Sequence, residues 1–172
     1  RRALGAALVN PRTVALVGAS ADAAKLASRP QRVLRKHGFT GSIIPINPGR
    51  KEINGDRAWP DIKSVPEKVD HAFIMVPAAA VPGVIDDCAQ AGVKAATIFS
   101  AGFAETGEAG QAVQARMVEA ARRGGVRLIG PNCLGVVNVT GKTVLSANAV
   151  LETETLLPGP LATLILAEAG AE

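Results

Sequence analysis

Short apolar runs alternate along the chain with stretches whose apolar residues recur at helical spacing, which predicts strands separated by helices. The first run, TVALV at Thr13–Val17, breaks at Gly18. Residues 29–37 read as a helix, with Pro30 in the first turn, Arg35 and Lys36 in the last, and Gly38 as the stop. SIIPI at Ser42–Ile46 is the second strand, although a proline sits awkwardly inside a strand. AFIMV at 72–76 is the third. Val81, Val84, Ile85 and Cys88 then mark one face of a helix that Gly92 ends. AATIF at 95–99 is the fourth strand. The clearest helix covers 106–123, where Ala109, Val113, Met117, Ala120 and Ala121 form one apolar face. Acids lie near its start (Glu105, Glu108) and bases near its end (Arg122, Arg123), as the helix dipole favours. RLI at Arg127–Ile129 begins a fifth strand.

Strands alternating with helices imply right-handed crossovers in a parallel sheet covered on both faces. The expected fold is therefore α/β: a Rossmann-like, doubly wound parallel sheet in three layers, α/β/α. After Asn138 the pattern loosens, and residues 140–157 show no clean periodicity. Pro158-Gly159-Pro160 reads as a linker, and LATLIL at 161–166 as a strand with nothing after it to pair with. The organisation expected is one ligand-binding domain over 1–157. Residues 158–172 would be a linker and the truncated start of a following, flavodoxin-like domain.

Composition narrows the function. Aromatic residues are only 3% of the chain, with one Trp and no Tyr, so the core must be built from Ala, Val, Leu and Ile. The formal charge of +4, with few rings for base stacking, speaks against a nucleic-acid partner. No apolar run reaches membrane-spanning length and no signal-peptide pattern is present, so a cytoplasmic location is expected. Cys88 and Cys133 are too far apart to give metal-ligand spacing, and reduced thiols are expected. No metal site and no catalytic constellation emerge. His37 and His71 have no nucleophile or metal partner in sequence, and Glu105 and Glu108 serve as helix N-terminal charges.

In a doubly wound sheet, ligands bind beyond the carboxyl ends of the strands. The informative segments are thus Gly18-Ala19-Ser20, residues 47–51, Val76-Pro77-Ala78, Ser100-Ala101-Gly102 and Gly130-Pro131-Asn132-Cys133. Each alone would suit an ordinary strand-to-helix turn; the set together favours a ligand. The first loop reads GASADA and lacks the later glycines of a dinucleotide-binding G-x-G-x-x-G. At the end of the second strand, where a carboxylate would hold the ribose of NAD, the chain has Asn47, Pro48, Gly49, Arg50 and Lys51. Two cations there suit a ribose phosphate, as in NADP or coenzyme A.

The ordered set VALVGAS (14–20), GFTGSIIPINP (38–48), VDHAFIMVPAAAV (69–81), AATIFSAGFAETGEAG (95–110) and RLIGPNCLGVVN (127–138) resembles a known family. It is similar to the CoA-binding domain of ADP-forming (NDP-forming) acyl-CoA synthetases, which is related to the succinyl-CoA synthetase α subunit. SAGFAETGE and IGPNCLG are the most specific stretches. The resemblance implies an acid–thiol ligase: acid, CoA and ATP give acyl-CoA, ADP and phosphate, through an acyl phosphate and a phosphohistidine outside this chain. It implies CoA lying across Gly18, Ala19 and Ser20, with Arg50 and Lys51 near its phosphates and Asn47 and Pro48 beside them. Val76 and Pro77 would flank the adenine or pantetheine, Ser100, Ala101 and Gly102 would line the pantetheine path, and Asn132 would sit near the thiol. ATP and Mg would be handled by further domains or a further subunit, this piece alone would be non-catalytic, and a homo-oligomer is expected for the whole protein. Two other readings stay open at this stage: a regulatory CoA or acyl-CoA sensor fused to a protein acetyltransferase, and an NADP-binding oxidoreductase domain.

Overall fold

The computed structural model describes residues 2–153; the expected linker and the strand at 161–166 lie outside them. In chain order the elements are α1 (Arg2–Val9), β1 (Thr13–Val17), α2 (Arg29–Lys36), β2 (Ser42–Ile46), β3 (Glu52–Ile53), β4 (Asp56–Arg57), β5 (His71–Ile74), α3 (Val81–Gln90), β6 (Ala95–Ile98), α4 (Glu108–Gly124), β7 (Arg127–Ile129), β8 (Gly135–Asn138), β9 (Thr143–Ser146) and α5 (Val150–Thr153). Five strands form one sheet in the order β2-β1-β5-β6-β7, every neighbouring pair parallel. The chain first moves outward from β1 to β2, then crosses back to β5 and continues the other way. The reversal lies between β1 and β5, and it places the crevice of a doubly wound fold at their carboxyl ends.

Side chains alternate across the sheet, and each face has its own cover. Ala15, Val17, Ile44, Ile46, Ala72, Ile74, Ala96 and Ile98 pack against Ile85 and Cys88 of α3 and against Met117 and Ala120 of α4. Val14, Leu16 and Phe73 point to the other side, toward Leu34 of α2 and Leu145 of β9. Small residues in the strands let thin helices lie close. Helices α3 and α4 also meet closely at Gly124, where an added Cβ would fall 2.1 Å from the Ala89 Cβ.

The expected three-layer fold is the observed one, with adjustments. The third strand runs 71–74 rather than 72–76, because Met75 and Val76 already belong to the loop at the sheet edge. Pro45 is tolerated because β2 is an edge strand. Its outer side pairs only with the irregular segment around Trp59, whose N–H donates to the Pro45 carbonyl at 3.0 Å. The stretch after Asn138 is more ordered than its periodicity suggested: β8 and β9 form an antiparallel hairpin whose second strand is wholly buried against α2. Helix α1 was not anticipated either. It is pinned by His71, which has no solvent exposure; its Nδ1 lies 2.9 Å from the Ala7 carbonyl and its Nε2 2.8 Å from Thr97 Oγ1. Donation from Nδ1–H to Ala7 leaves Nε2 to accept the threonine hydroxyl.

Candidate functional site

All five strand-end segments meet at the carboxyl edge of the sheet, and a chain of contacts joins them. Gly18 turns the chain out of β1 at φ +85°, and its N–H donates to the Ile46 carbonyl at 3.0 Å. A Cβ there would lie 3.2 Å from Val76 Cγ1 and 3.3 Å from the Met75 carbonyl carbon and oxygen, so the first loop runs directly against the end of β5. The Asn47 side chain ties the second loop to the first: Nδ2 donates to the Ala19 carbonyl at 2.9 Å, and Oδ1 accepts the Gly49 N–H at 2.8 Å. On the other side, the Ser100 hydroxyl donates to the Val76 carbonyl and the Asn132 N–H donates to the Ser100 carbonyl at 3.1 Å.

These bonds separate two kinds of site residue. Ala19 is buried and Asn47 and Ser100 spend their side chains on neighbouring backbone, so they shape the edge. Pro48, Arg50, Lys51, Pro77, Ala101 and Asn132 are exposed on it, and Ser20, Val76 and Gly102 are partly so. Ser20 Oγ accepts the Asp22 N–H at 3.1 Å, and the Ser20 N–H reaches the Ala27 carbonyl at 3.4 Å, folding residues 20–28 back over the first turn. Gly102, at φ +102°, donates its N–H to Glu105 Oε1 at 2.6 Å. That bond, with further backbone N–H groups of the same loop, holds the Glu105 carboxyl below the usual range. Its charge therefore fixes the SAGFAE loop.

Electrostatics follow the pairing of the cations. Arg29 and Arg32 are both committed to Glu152, Arg35 to Asp56, and Lys63 to Asp87. Among the described residues, Arg50 and Lys51 have no ion-pair partner. Both are exposed on the loop that follows β2.

Between β1, β2 and β5 the crevice deepens into a cleft of about 200 Å³, mainly apolar, floored by Val17, Gly18 and Ile46 and walled by Pro48, Ile62 and Val76. Larger depressions lie at the amino ends of β1 and β2 and between α1, α4 and β7, away from the converging loops. Pro60, Asp61, Ile62, Val84 and Asp87 also line the cleft, and the strand-end rule did not find them. The first three follow a two-residue strand outside the main sheet, and the other two lie on α3. The D-x-x-S spacing of Asp61 and Ser64, a local capping pattern, was the only signal near them.

The histidines stay away from this edge. His37 Nε2 donates to the Leu151 carbonyl at 2.8 Å, His71 is enclosed in the core, and among the described residues no cluster of His, Cys, Asp and Glu could hold a metal ion. Within the same residues no helix is long and apolar enough to cross a membrane.

Residues 12–139 match the family described as the CoA binding domain. The α subunit of ADP-forming acetate–CoA ligase I from Pyrococcus furiosus is 41% identical over 169 residues, covering 96% of this chain and 35% of that protein. ADP-forming acetate–CoA ligase II from Archaeoglobus fulgidus is 40% identical over 139 residues, covering 81% of this chain and 21% of that protein. Among solved structures, a dinucleotide-forming acetyl-coenzyme A synthetase 1 from Ca. Korarchaeum cryptofilum, in complex with phosphate and ADP, superposes with a TM-score of 0.80 at 34% identity. That match covers 93% of this chain and 35% of the other. The chain thus spans between about a fifth and about a third of the length of these relatives.

Proposed function

The chain belongs to the CoA-binding domain family, and from that premise we propose that it presents coenzyme A for an ADP-forming acid–thiol ligase. The whole enzyme would convert acid, CoA and ATP to acyl-CoA, ADP and phosphate. Phosphorylation and the phosphohistidine would lie outside this chain, as would ATP and Mg. The part played here is to bind and orient. The adenine base occupies the apolar cleft, Arg50 and Lys51 meet the ribose phosphate, and the pyrophosphate crosses the backbone at Gly18 to Ser20. Pantetheine then follows Val76, Pro77 and the Ser100–Gly102 turn toward Asn132. Held this way, the thiol reaches the far end of the edge, where it attacks the carbonyl carbon of an acyl phosphate supplied by the partner domain and expels inorganic phosphate. Exposed Leu26 and Leu134, on two loops of this same edge, are suitable contacts for that domain.

The observation that carries the reading is the apolar cleft at the strand reversal, too small for a whole cofactor but sufficient for one ring system, with Pro48 in its lining and the exposed Arg50 and Lys51 further along the same loop. Calorimetric titration with CoA, 3′-dephospho-CoA and NADP tests it. CoA is expected to bind, and to lose affinity without its 3′-phosphate. A charge-assisted contact is worth about 1.5–3 kcal/mol, roughly 10- to 100-fold in affinity. Arg50→Gln is expected to shrink that difference. Preference for NADP over CoA would overturn the assignment.

A further inference from the structure

The cleft at the strand reversal carries one feature that neither the strand-end rule nor the family pattern supplied. Two carboxylates, Asp61 and Asp87, line an otherwise apolar wall. Asp87 is spent: its Oδ1 lies 2.6 Å from Lys63 Nζ. Asp61 is held from its own side of the chain. The Ser64 N–H and hydroxyl both donate to Asp61 Oδ1, at 2.8 and 2.9 Å, so Oδ2 is the oxygen they leave for a ligand. The same bonds fix the side-chain rotamer and keep the carboxyl ionised well into the acid range.

An ionised carboxylate on the wall of an apolar slot excludes some ligands and selects others. It repels phosphate, so this part of the crevice does not belong to the phosphate end of the cofactor. It accepts hydrogen bonds only, so the partner it rewards is an N–H donor on a flat apolar ring. Pro48 lines the same cleft, and the exposed Arg50 and Lys51 lie two and three residues beyond it on the same loop. A nucleoside 3′-phosphate has matching polarity, with an exocyclic amine at one end and a dianion at the other.

We infer that Asp61 Oδ2 accepts a hydrogen bond from the 6-amino group of the adenine base and makes the site selective for 6-aminopurines over 6-oxopurines. The inference rests on the proposed CoA reading and adds a specificity-determining residue to it. A 6-oxopurine would turn a carbonyl oxygen toward the carboxylate, replacing an attraction by a repulsion.

The test compares CoA with its hypoxanthine-base analogue by calorimetry, on the 172-residue chain and on Asp61→Ala and Asp61→Asn. The unmodified chain is expected to prefer CoA by about 10- to 100-fold, the effect of one hydrogen bond to a charged group. Asp61→Ala should abolish the preference, by weakening CoA and by relieving the repulsion of the 6-oxopurine analogue. Asp61→Asn, which can donate as well as accept, should narrow or reverse it. Equal affinity of the unmodified chain for the two ligands overturns the role of Asp61 and leaves the CoA reading standing. The same holds if CoA is preferred but the preference survives in both variants. If the unmodified chain binds neither ligand, the CoA reading falls and this inference with it. The comparison on the unmodified chain needs no substitution, so a poorly folded variant cannot obscure the answer.

Discussion

Replacing Gly18 by alanine tests whether the meeting of the first loop with β5 is as close as the geometry requires. Two costs can be separated. The backbone sits at φ +85°, where an L side chain meets the neighbouring carbonyl at a cost of about 1–2 kcal/mol. The added methyl would also press on Val76 Cγ1 at 3.2 Å and on the Met75 carbonyl at 3.3 Å. Val76 can turn, but Met75 cannot readily yield, because its N–H is bonded to the Val17 carbonyl at 2.9 Å. Overpacking of this kind costs about 1–3 kcal/mol, which with the backbone cost gives a total of roughly 2–5 kcal/mol. At about 2–4 °C per kcal/mol for a domain of this size, the melting temperature should fall by about 4–20 °C. Gly55 provides the control, since its φ of +84° is nearly identical and nothing lies within 4 Å of an added Cβ. Gly55→Ala should therefore lose only the backbone share. Thermal unfolding followed by circular dichroism reads both variants, and CoA titration should show weakening for Gly18→Ala alone. Equal losses in the two variants would refute the close approach, and with it the claim that glycine is needed at position 18 for more than its dihedral angle.

Two further outcomes follow from buried titratable groups. Burial pushes the His71 ring below its ordinary value, so as pH falls below about 6.5 the unfolded chain takes up the proton first. The stability His71 contributes is complete above that pH and is lost as the pH drops toward the folded-state value. Urea unfolding between about pH 5 and 8 should show this slope, and His71→Gln should flatten it; a slope unchanged in the variant would assign it to other groups. Burial also pushes the Cys88 thiol up to about 12, whereas Cys133 is only half-buried in the loop after β7. A thiol reagent near pH 8 should modify one cysteine per folded chain quickly and the second only at the rate of unfolding. Two equally fast thiols would contradict the packing of α3.

The local pattern of this chain determined a great deal. Strands buried on both faces read as continuous apolar runs, and helices between them show their stripe, so five parallel strands and their connecting helices are visible without coordinates. The loops that meet at the carboxyl edge of the sheet are legible for the same reason, because they are the segments that follow those runs. Tertiary structure decided what depends on partners distant in sequence. The β8–β9 hairpin becomes a buried cover only because α2 presents Val33 and Leu34 to it. Pro45 is acceptable only because strand order puts β2 at an edge. That Arg29 and Arg32 are engaged in ion pairs was likewise invisible in sequence; it is fixed by Glu152, which comes 120 residues after Arg32. Asp61 reaches the crevice by a comparable route, carried to the strand reversal by a short segment outside the main sheet. Periodicity reports the burial a residue has along its own element, whereas charge pairing and the walls of a cleft are made between elements, and only the folded chain brings those together.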